Sequence, residues 1–295
     1  DNVGDQVFES AGDVNDTILS SISFNLATTP EVEHLTLKGT GNLAGRGNAH
    51  DNVISGNSGN NLLLGGDGSD GLHGGGGNDI LDGGTGAFDL MTGGAGNDVY
   101  RVDSAADIAT EGAGASGRDR VESSITFDLD TFDGADIEDL TLTGSGHNDG
   151  TGNSLANTLI GNGGNNQLSS RDNNDILIGG LGQDGLTGGA GADLFRYRSI
   201  LESTPAAPDN INEFVRAEGD RIDLRGIDAI SGTPANDAFT FIGTAGFSGV
   251  AGQLRYEVTA LGFARLIQAD VNGDGTADFA IASNPVDYLA SDFIL

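Results

Sequence analysis

The run GGDGSDGLH at 65–73 is followed without a gap by GGGGNDILD at 74–82, GGTGAFDLMT at 83–92 and GGAGNDVYR at 93–101. Two glycines open each copy, aspartate follows four places later, and a large apolar residue comes two places after that. Asp70, Asp79 and Asp98 hold the sixth place. The third copy carries one extra residue, Phe88, which displaces Asp89 by one and leaves Leu90 and Met91 as alternatives for the apolar place. Leu72, Leu81 and Tyr100 take that place in the other copies. A second block reads SRDNNDILI at 170–178, GGLGQDGLT at 179–187 and GGAGADLFR at 188–196. Here Asp175, Asp184 and Asp193 are sixth, and Leu177, Leu186 and Phe195 are eighth. Its first copy has Ser170 and Arg171 in place of the glycine pair, which predicts a poorer ligand loop.

The period has a physical reading. Glycine permits positive φ and close approach of successive backbones. The six residues ending in Asp make a turn that aims main-chain carbonyls inward, the next three make a short strand, and the eighth residue points to the interior. The nonapeptide is similar to the calcium-binding repeat of RTX (repeats-in-toxin) proteins, which implies that two copies complete one coil of a parallel β-roll, so that loops two copies apart lie side by side. A cation between them takes backbone carbonyls and an Asp from each loop. That gives about six hard oxygen ligands, as calcium prefers; magnesium, with shorter bonds and a strict octahedron, fits poorly. The expected ligands in the first block are Gly66 and Gly68 with Asp70, then Gly74, Gly75, Gly76, Gly77 and Asn78 with Asp79. Gly83, Gly84 and Thr85 with Asp89 follow, and Gly93, Gly94, Ala95, Gly96 and Asn97 with Asp98. In the second block they are Asp175, then Gly179, Gly180, Leu181, Gly182 and Gln183 with Asp184, and Gly188, Gly189, Ala190, Gly191 and Ala192 with Asp193. About four to six calcium ions are expected in all. Upstream of each block the period continues with Asn52, Asn61, Asn157 and Asn166 in the sixth place. An Asn side chain offers a neutral carbonyl and forms a hydrogen-bonded ladder without metal, so these copies are read as metal-free or weakly binding turns.

Composition agrees. Of 295 residues 50 are glycine, and 13 basic residues face 44 acidic ones, a formal net charge of −31. That charge excludes a nucleic-acid binder working by phosphate neutralisation. The absence of cysteine excludes a disulfide scaffold and thiolate zinc. The glycines lack the three-residue spacing of collagen. No apolar run is long enough for a transmembrane helix, and no charged-then-apolar leader opens the chain. High charge and few aromatics favour disorder, but the apolar and acidic residues recur in phase, which points to a fold completed by divalent ions that offset self-repulsion.

A longer repeat encloses the short one. SSISFNL at 20–26 returns as SSITFDL at 123–129, and VEHLTLKGTGN at 32–42 as IEDLTLTGSGH at 137–147. These segments read as strands, with Val32, Leu35, Leu37, Ile137, Leu140 and Leu142 inside; no helical periodicity appears over 1–195. The opening DNVGDQVFES aligns with DSAADIATEG at 103–112, so the chain begins in mid-repeat, as a fragment of a longer protein would.

The nonapeptides thus resemble the calcium-binding repeat of RTX proteins. Beyond Phe195, DNINEFVRAEGDRIDL at 209–224, FTFIGTAGFSGVAGQLRYE at 239–257, ADVNGDGTADFAI at 269–281 and LASDFIL at 289–295 resemble the C-terminal domain of serralysin-type metalloproteases and the R-modules of alginate epimerases. The resemblance implies an all-β fold: a parallel β-roll, or β-solenoid, with two calcium-binding nonapeptide blocks and a β-sandwich-like C-terminal cap. The expected division is 1–102 and 103–198 for two roll units and 199–295 for the cap. It also implies a secreted, extracellular or cell-surface protein, exported by a type I secretion apparatus that reads the terminal Asp292-Phe293-Ile294-Leu295. A final strand docked into the sheet is the plainer reading of those residues, and both can hold. An extracellular polysaccharide is a second candidate partner; Arg196, Arg198, Arg216, Arg221 and Arg225 would line its groove, or else pair with the acidic roll.

Further candidate metal ligands are Asp209 and Asp220, which match acidic positions at the roll exit of the serralysin relatives. Asp270, Asn272, Asp274 and Asp278 resemble the start of an EF-hand loop. Ile281 stands where that loop needs its bidentate Glu, so a tight hairpin turn is the competing reading. No catalytic residue is expected. The four histidines, His34, His50, His73 and His147, form no H-E-x-x-H, and no G-x-S-x-G or phosphate-binding loop occurs.

Overall fold

The structure, a computed structural model, describes residues 16–86, 88–112, 115–131, 136–260 and 262–295. The opening run aligned with 103–112 lies outside them. The chain forms two compact units, 1–141 and 142–295.

In the first unit successive strands alternate between two parallel sheets. One sheet runs Thr17–Ser20, His34–Leu37, Val53–Ser55, Gly71–Gly76, Leu90–Ala95 and Ile108–Thr110; the other runs Phe24–Asn25, Ala44–Arg46, Leu62–Gly66, Ile80–Gly84, Val99–Val102 and Arg120–Ser123. Each strand therefore pairs with the strand two ahead, as a nine-residue half-coil demands. The register stacks Leu35, Ile54, Leu72, Met91 and Ala109 in one column. Leu63, Leu81, Tyr100 and Val121 stack in the other. All are buried, and Val32, Leu37, Ile137 and Leu140 are buried as well, with Leu142 of the second unit. The irregular third copy is resolved in favour of Met91, which pairs with Leu72, while Leu90 is half-buried and Phe88 is 43% exposed. The extra residue is absorbed in the turn, so the register of the column survives.

In the second unit Thr158–Ile160, Ile176–Ile178, Leu194–Arg196, Arg221–Asp223 and Phe293–Ile294 form one parallel sheet. Its inward column is Leu159, Leu177, Phe195, Ile222 and Phe293. The facing sheet runs Gly150–Thr151, Gln167–Ser169, Gly185–Thr187, Asp209–Glu213 and Phe279–Ser283, all parallel. Arg265–Asp270 and Gln253–Val258 then extend it antiparallel. This switch from parallel to antiparallel pairing is the cap. Its core is aromatic, with Tyr288 between Phe214 (5.1 Å) and Phe293 (5.5 Å), and Tyr197 edge-on to Phe279 (5.2 Å).

The roll core is thin by comparison. One side chain per half-coil has to offset backbone ordering of about 1–2 kcal/mol per residue, more for glycine. Only short helical turns, Leu26–Thr28 and Ala290–Asp292, interrupt the strands among the described residues.

Candidate metal sites in the turns

The repeat aspartates are all buried: Asp70, Asp79, Asp89, Asp98, Asp175, Asp184 and Asp193 are at most 2% exposed. Each holds one oxygen in a ladder that runs along the roll. Asp70 Oδ1 accepts the Asn52 N–H at 2.7 Å, and Asp89 Oδ1 accepts the Asp70 N–H at 2.8 Å. Asp79 accepts from Asn61 (2.6 Å) and Asp98 from Asp79 (2.7 Å). In the second block Asp175 accepts from Asn157 (2.7 Å), Asp184 from Asn166 (2.8 Å) and Asp193 from Asp175 (3.0 Å). The ladder uses only one oxygen of each carboxylate. The Oδ2 atoms of all seven are buried with no hydrogen-bond partner.

Those orphaned oxygens lie where the glycine pairs make room. A Cβ on Gly65 would collide with Asp70 Oδ2 and the Gly83 carbonyl, and one on Gly74 with Asp79 Oδ2 and the Gly93 carbonyl. A Cβ on Gly179 or Gly188 would meet Asp184 or Asp193 in the same way. The first glycine of each copy is therefore required for its missing side chain; the second, such as Gly66 at φ +120° or Gly180 at φ +91°, is required for its backbone conformation. Ser170 and Arg171 replace that pair in the one degenerate copy, where Arg171 (φ 77°) and Asn173 (φ 78°) are the only non-glycine residues at positive φ among the described residues. Left-handed backbone costs a residue such as Arg roughly 1–2 kcal/mol, so this turn is the strained one.

Leaving a carboxylate oxygen buried and unpaired is costly. Burial, which outweighs the hydrogen bond from the ladder, pushes Asp70, Asp79, Asp184 and Asp193 up to about 7 and Asp175 up to about 6. Asp89 and Asp98 are raised by the same cause. Hard, acceptor-only oxygens converging beside main-chain carbonyls in a glycine cradle are the donor set of a calcium site, and the residues present fit that ion.

The Asn copies behave differently. Asn52 Oδ1 accepts the Asn48 N–H at 2.7 Å, and Asn61, Asn157 and Asn166 do the same for Asn57, Asn153 and Asn162. Asn166 Nδ2 donates to the Asn148 carbonyl at 2.6 Å. The amide closes its own turn, with both ends of the side chain used.

Of the further candidates, Asp209 and Asp220 continue the ladder past the repeats, accepting from Asp184 (2.8 Å) and Asp193 (3.0 Å). Asp209 resembles a repeat aspartate: its Oδ2 is orphaned, and burial pushes it up to about 8. Asp220 Oδ2 accepts the Val215 N–H at 2.7 Å. The carboxylates at 270–278 are engaged in a turn: Asp270 accepts from Gly273 (2.6 Å) and Gly275 (2.9 Å), Asp278 from Val271 (2.9 Å) and Asn272 (2.9 Å), and Asp274 from Thr276 (2.8 Å). That turn joins two antiparallel strands, as a hairpin does. Sequence reasoning missed Asp107, Asp119 and Glu111. Asp107 ends its ladder, accepting from Asp89 at 3.2 Å and from Ser104 at 3.0 Å. Asp119 accepts from Asp98 at 2.7 Å. The spacing from Asp89 to Asp107, 18 residues, is the signal that could have found the first of them.

The fold and its turns define a class, the metal-binding parallel β-roll. Residues 21–295 match the family Peptidase M10 serralysin C terminal, and the chain belongs to that family. The family is the C-terminal repeat domain of these proteases, not their catalytic domain, and its repeats imply calcium. A similar solved structure is the solution structure of the AlgE6R3 subunit from the Azotobacter vinelandii mannuronan C5-epimerase, at 24% identity and a TM-score of 0.37, covering 52% of this chain and 80% of that one. No curated protein matches. Among the described residues no helix is long and apolar enough to cross a membrane.

Proposed function

We propose that this chain is the calcium-driven folding module of a protein secreted by a type I apparatus, and that its last residues are the export signal. The observation that carries the reading is the row of unpaired, buried Oδ2 atoms from Asp70 to Asp193. Metal-free, the fold must bury that row; with calcium, the same oxygens become ligands. Binding that is confined to the folded state stabilises it by RT ln(1 + [L]/Kd) per site. Extracellular modules bind calcium with affinities of about 10⁻⁴–10⁻³ M, so the chain stays unfolded and threadable in a low-calcium cytoplasm and folds outside.

The C-terminus supports a signal that is read before folding. Asp292 is 2% exposed and is held by Arg216, whose Nε lies 2.7 Å from its Oδ1. Phe293–Ile294 pairs with Arg221–Asp223. In the folded state these residues are docked, so a transporter would meet them only in the unfolded chain. Deleting Asp292–Leu295 should abolish export of the chain through a reconstituted type I system while calcium binding by the purified protein persists. Undiminished export of the truncated chain would sink the signal assignment.

Three of the five arginines offered to a polysaccharide groove are held in ion pairs instead. Arg196 and Arg225 both pair with Asp223 (3.1 and 2.9 Å), and Arg216 pairs with Asp292.

A further inference from the structure

At the end of the first block the roll departs from its own rule. The strand Ile108–Thr110 pairs with Leu90–Ala95, Thr110 opposite Thr92, so the next residue, Glu111, stands opposite Gly93. One coil earlier a glycine occupies this place and offers only its backbone. Here a carboxylate enters the interior. One oxygen each of Asp98, Glu111 and Asp119 lie within 4.8 Å of one another, and all three residues are buried.

We propose that Asp98, Glu111 and Asp119 form a calcium site distinct in kind from the repeat sites, with three side-chain carboxylates, and that it is the tightest site in the roll. This rests on the calcium reading of the turns. Two independent features point to a ligand. Glu111 Oε2 and Asp98 Oδ2 have no hydrogen-bond partner although their residues are 2% and 1% exposed. The Tyr100 hydroxyl, which accepts the Gly93 N–H at 2.9 Å, hydrogen-bonds Glu111 Oε1 and so fixes the carboxylate with its other oxygen free. Asp119 is fixed too, since one of its oxygens accepts the Asp98 N–H and its own N–H donates to Glu138 at 2.7 Å. The nearby guanidinium groups are engaged elsewhere: Arg101 with Asp82 and Glu122, Arg118 with Asp139, and Arg120 with Glu122. Burial pushes Glu111 up to about 8 and Asp119 up to about 6, the direction expected of carboxylates gathered without a counter-ion. Affinity in oxygen-ligand sites rises with the number of carboxylates. A third charge therefore favours this site over the repeat sites, and favours a trivalent lanthanide still more.

The chain has no tryptophan and four tyrosines, which makes terbium luminescence a local probe. The full chain is titrated with terbium under tyrosine excitation, and with calcium by calorimetry. Wild type should show sensitised emission at the first equivalent. Tyr100→Phe should lose most of that early emission and, because the hydroxyl holds Glu111 Oε1, should also weaken calcium binding at this site. Glu111→Gln should weaken the tightest calcium site by tenfold or more, whereas Asp184→Asn should leave that site unchanged. Gln is isosteric and removes a buried charge, so the variant keeps its fold, checked by circular dichroism in excess calcium. If Glu111→Gln retains the tightest site and the early emission, this site assignment falls while the repeat sites stand. If wild type binds neither metal, both fall.

Discussion

Replacing Asp79 by Asn should stabilise the metal-free roll and weaken its binding of calcium. Asp79 does two jobs. Its Oδ1 accepts the Asn61 N–H at 2.6 Å, and its Oδ2 is buried without a partner beside the Gly93 carbonyl across the cradle of Gly74. An Asn keeps the first job through its carbonyl, and the native turns at Asn52 and Asn61 close themselves with the same side chain. In chelator at pH 8 the variant sheds a buried, unpaired charge. A carboxyl pushed up to about 7 is disfavoured in its charged form by on the order of 4 kcal/mol at that pH, so the metal-free variant should be more stable than wild type by an amount approaching this. In calcium the variant has lost a charged ligand, and the affinity of that site in the folded chain should fall roughly tenfold, equivalent to about 1.4 kcal/mol. Circular dichroism during urea unfolding in chelator reads the first effect, and calorimetric calcium titration of the folded chain at pH 5 to 6 reads the second. A site affinity equal to that of wild type would remove Asp79 from the ligand set.

The second large effect is on pH dependence in the absence of metal, with a sign opposite to ordinary acid denaturation. Asp70, Asp79, Asp184 and Asp193 are pushed up to about 7 by burial, against an unfolded value near 3.9. Between roughly pH 4 and 7 the folded state binds more protons than the unfolded one, so unfolding free energy falls as pH rises, by up to about 1.4 kcal/mol per pH unit per group. This contribution is fully present below the unfolded value and is lost as pH climbs through the folded value. The metal-free chain should gain β-structure when taken from pH 8 to pH 5. With saturating calcium the same carboxylates are unprotonated ligands in the folded state and unprotonated in the unfolded chain, so stability should be flat over that range and fall only below about pH 5. Matching pH profiles with and without calcium would contradict the burial of unpaired carboxylates.

Much of this architecture is legible in the nonapeptide because the period leaves little choice. A glycine pair, an aspartate and one apolar residue in nine fix where each residue must point, and the columns through Leu63 and Leu81 follow directly. The Asn copies were also legible, since an amide satisfies both halves of its turn. Four features were not. Leu90 and Met91 could not be separated, because the outcome depends on where the turn absorbs one extra residue. Glu111 was invisible as a ligand because it occupies a glycine place, and nothing in a repeat pattern predicts the content of its exceptions. Asp119 continues the ladder from Asp98 at a separation of 21 rather than 18, since the intervening turn is longer. The loop at 270–278 had the right residue types for an ion, yet its carboxylates cap backbone N–H groups of the turn. Composition alone cannot distinguish those uses.

The account rests on metal completing a core too thin to hold itself. Its most direct test is far-UV circular dichroism of the full chain at pH 8, first in chelator, then through a calcium titration, with magnesium as control. A steep gain of β-signal in calcium near its extracellular concentration, and none in magnesium, is predicted. A chelator-stripped chain with the same spectrum and the same cooperative melting as the calcium-loaded one would contradict it.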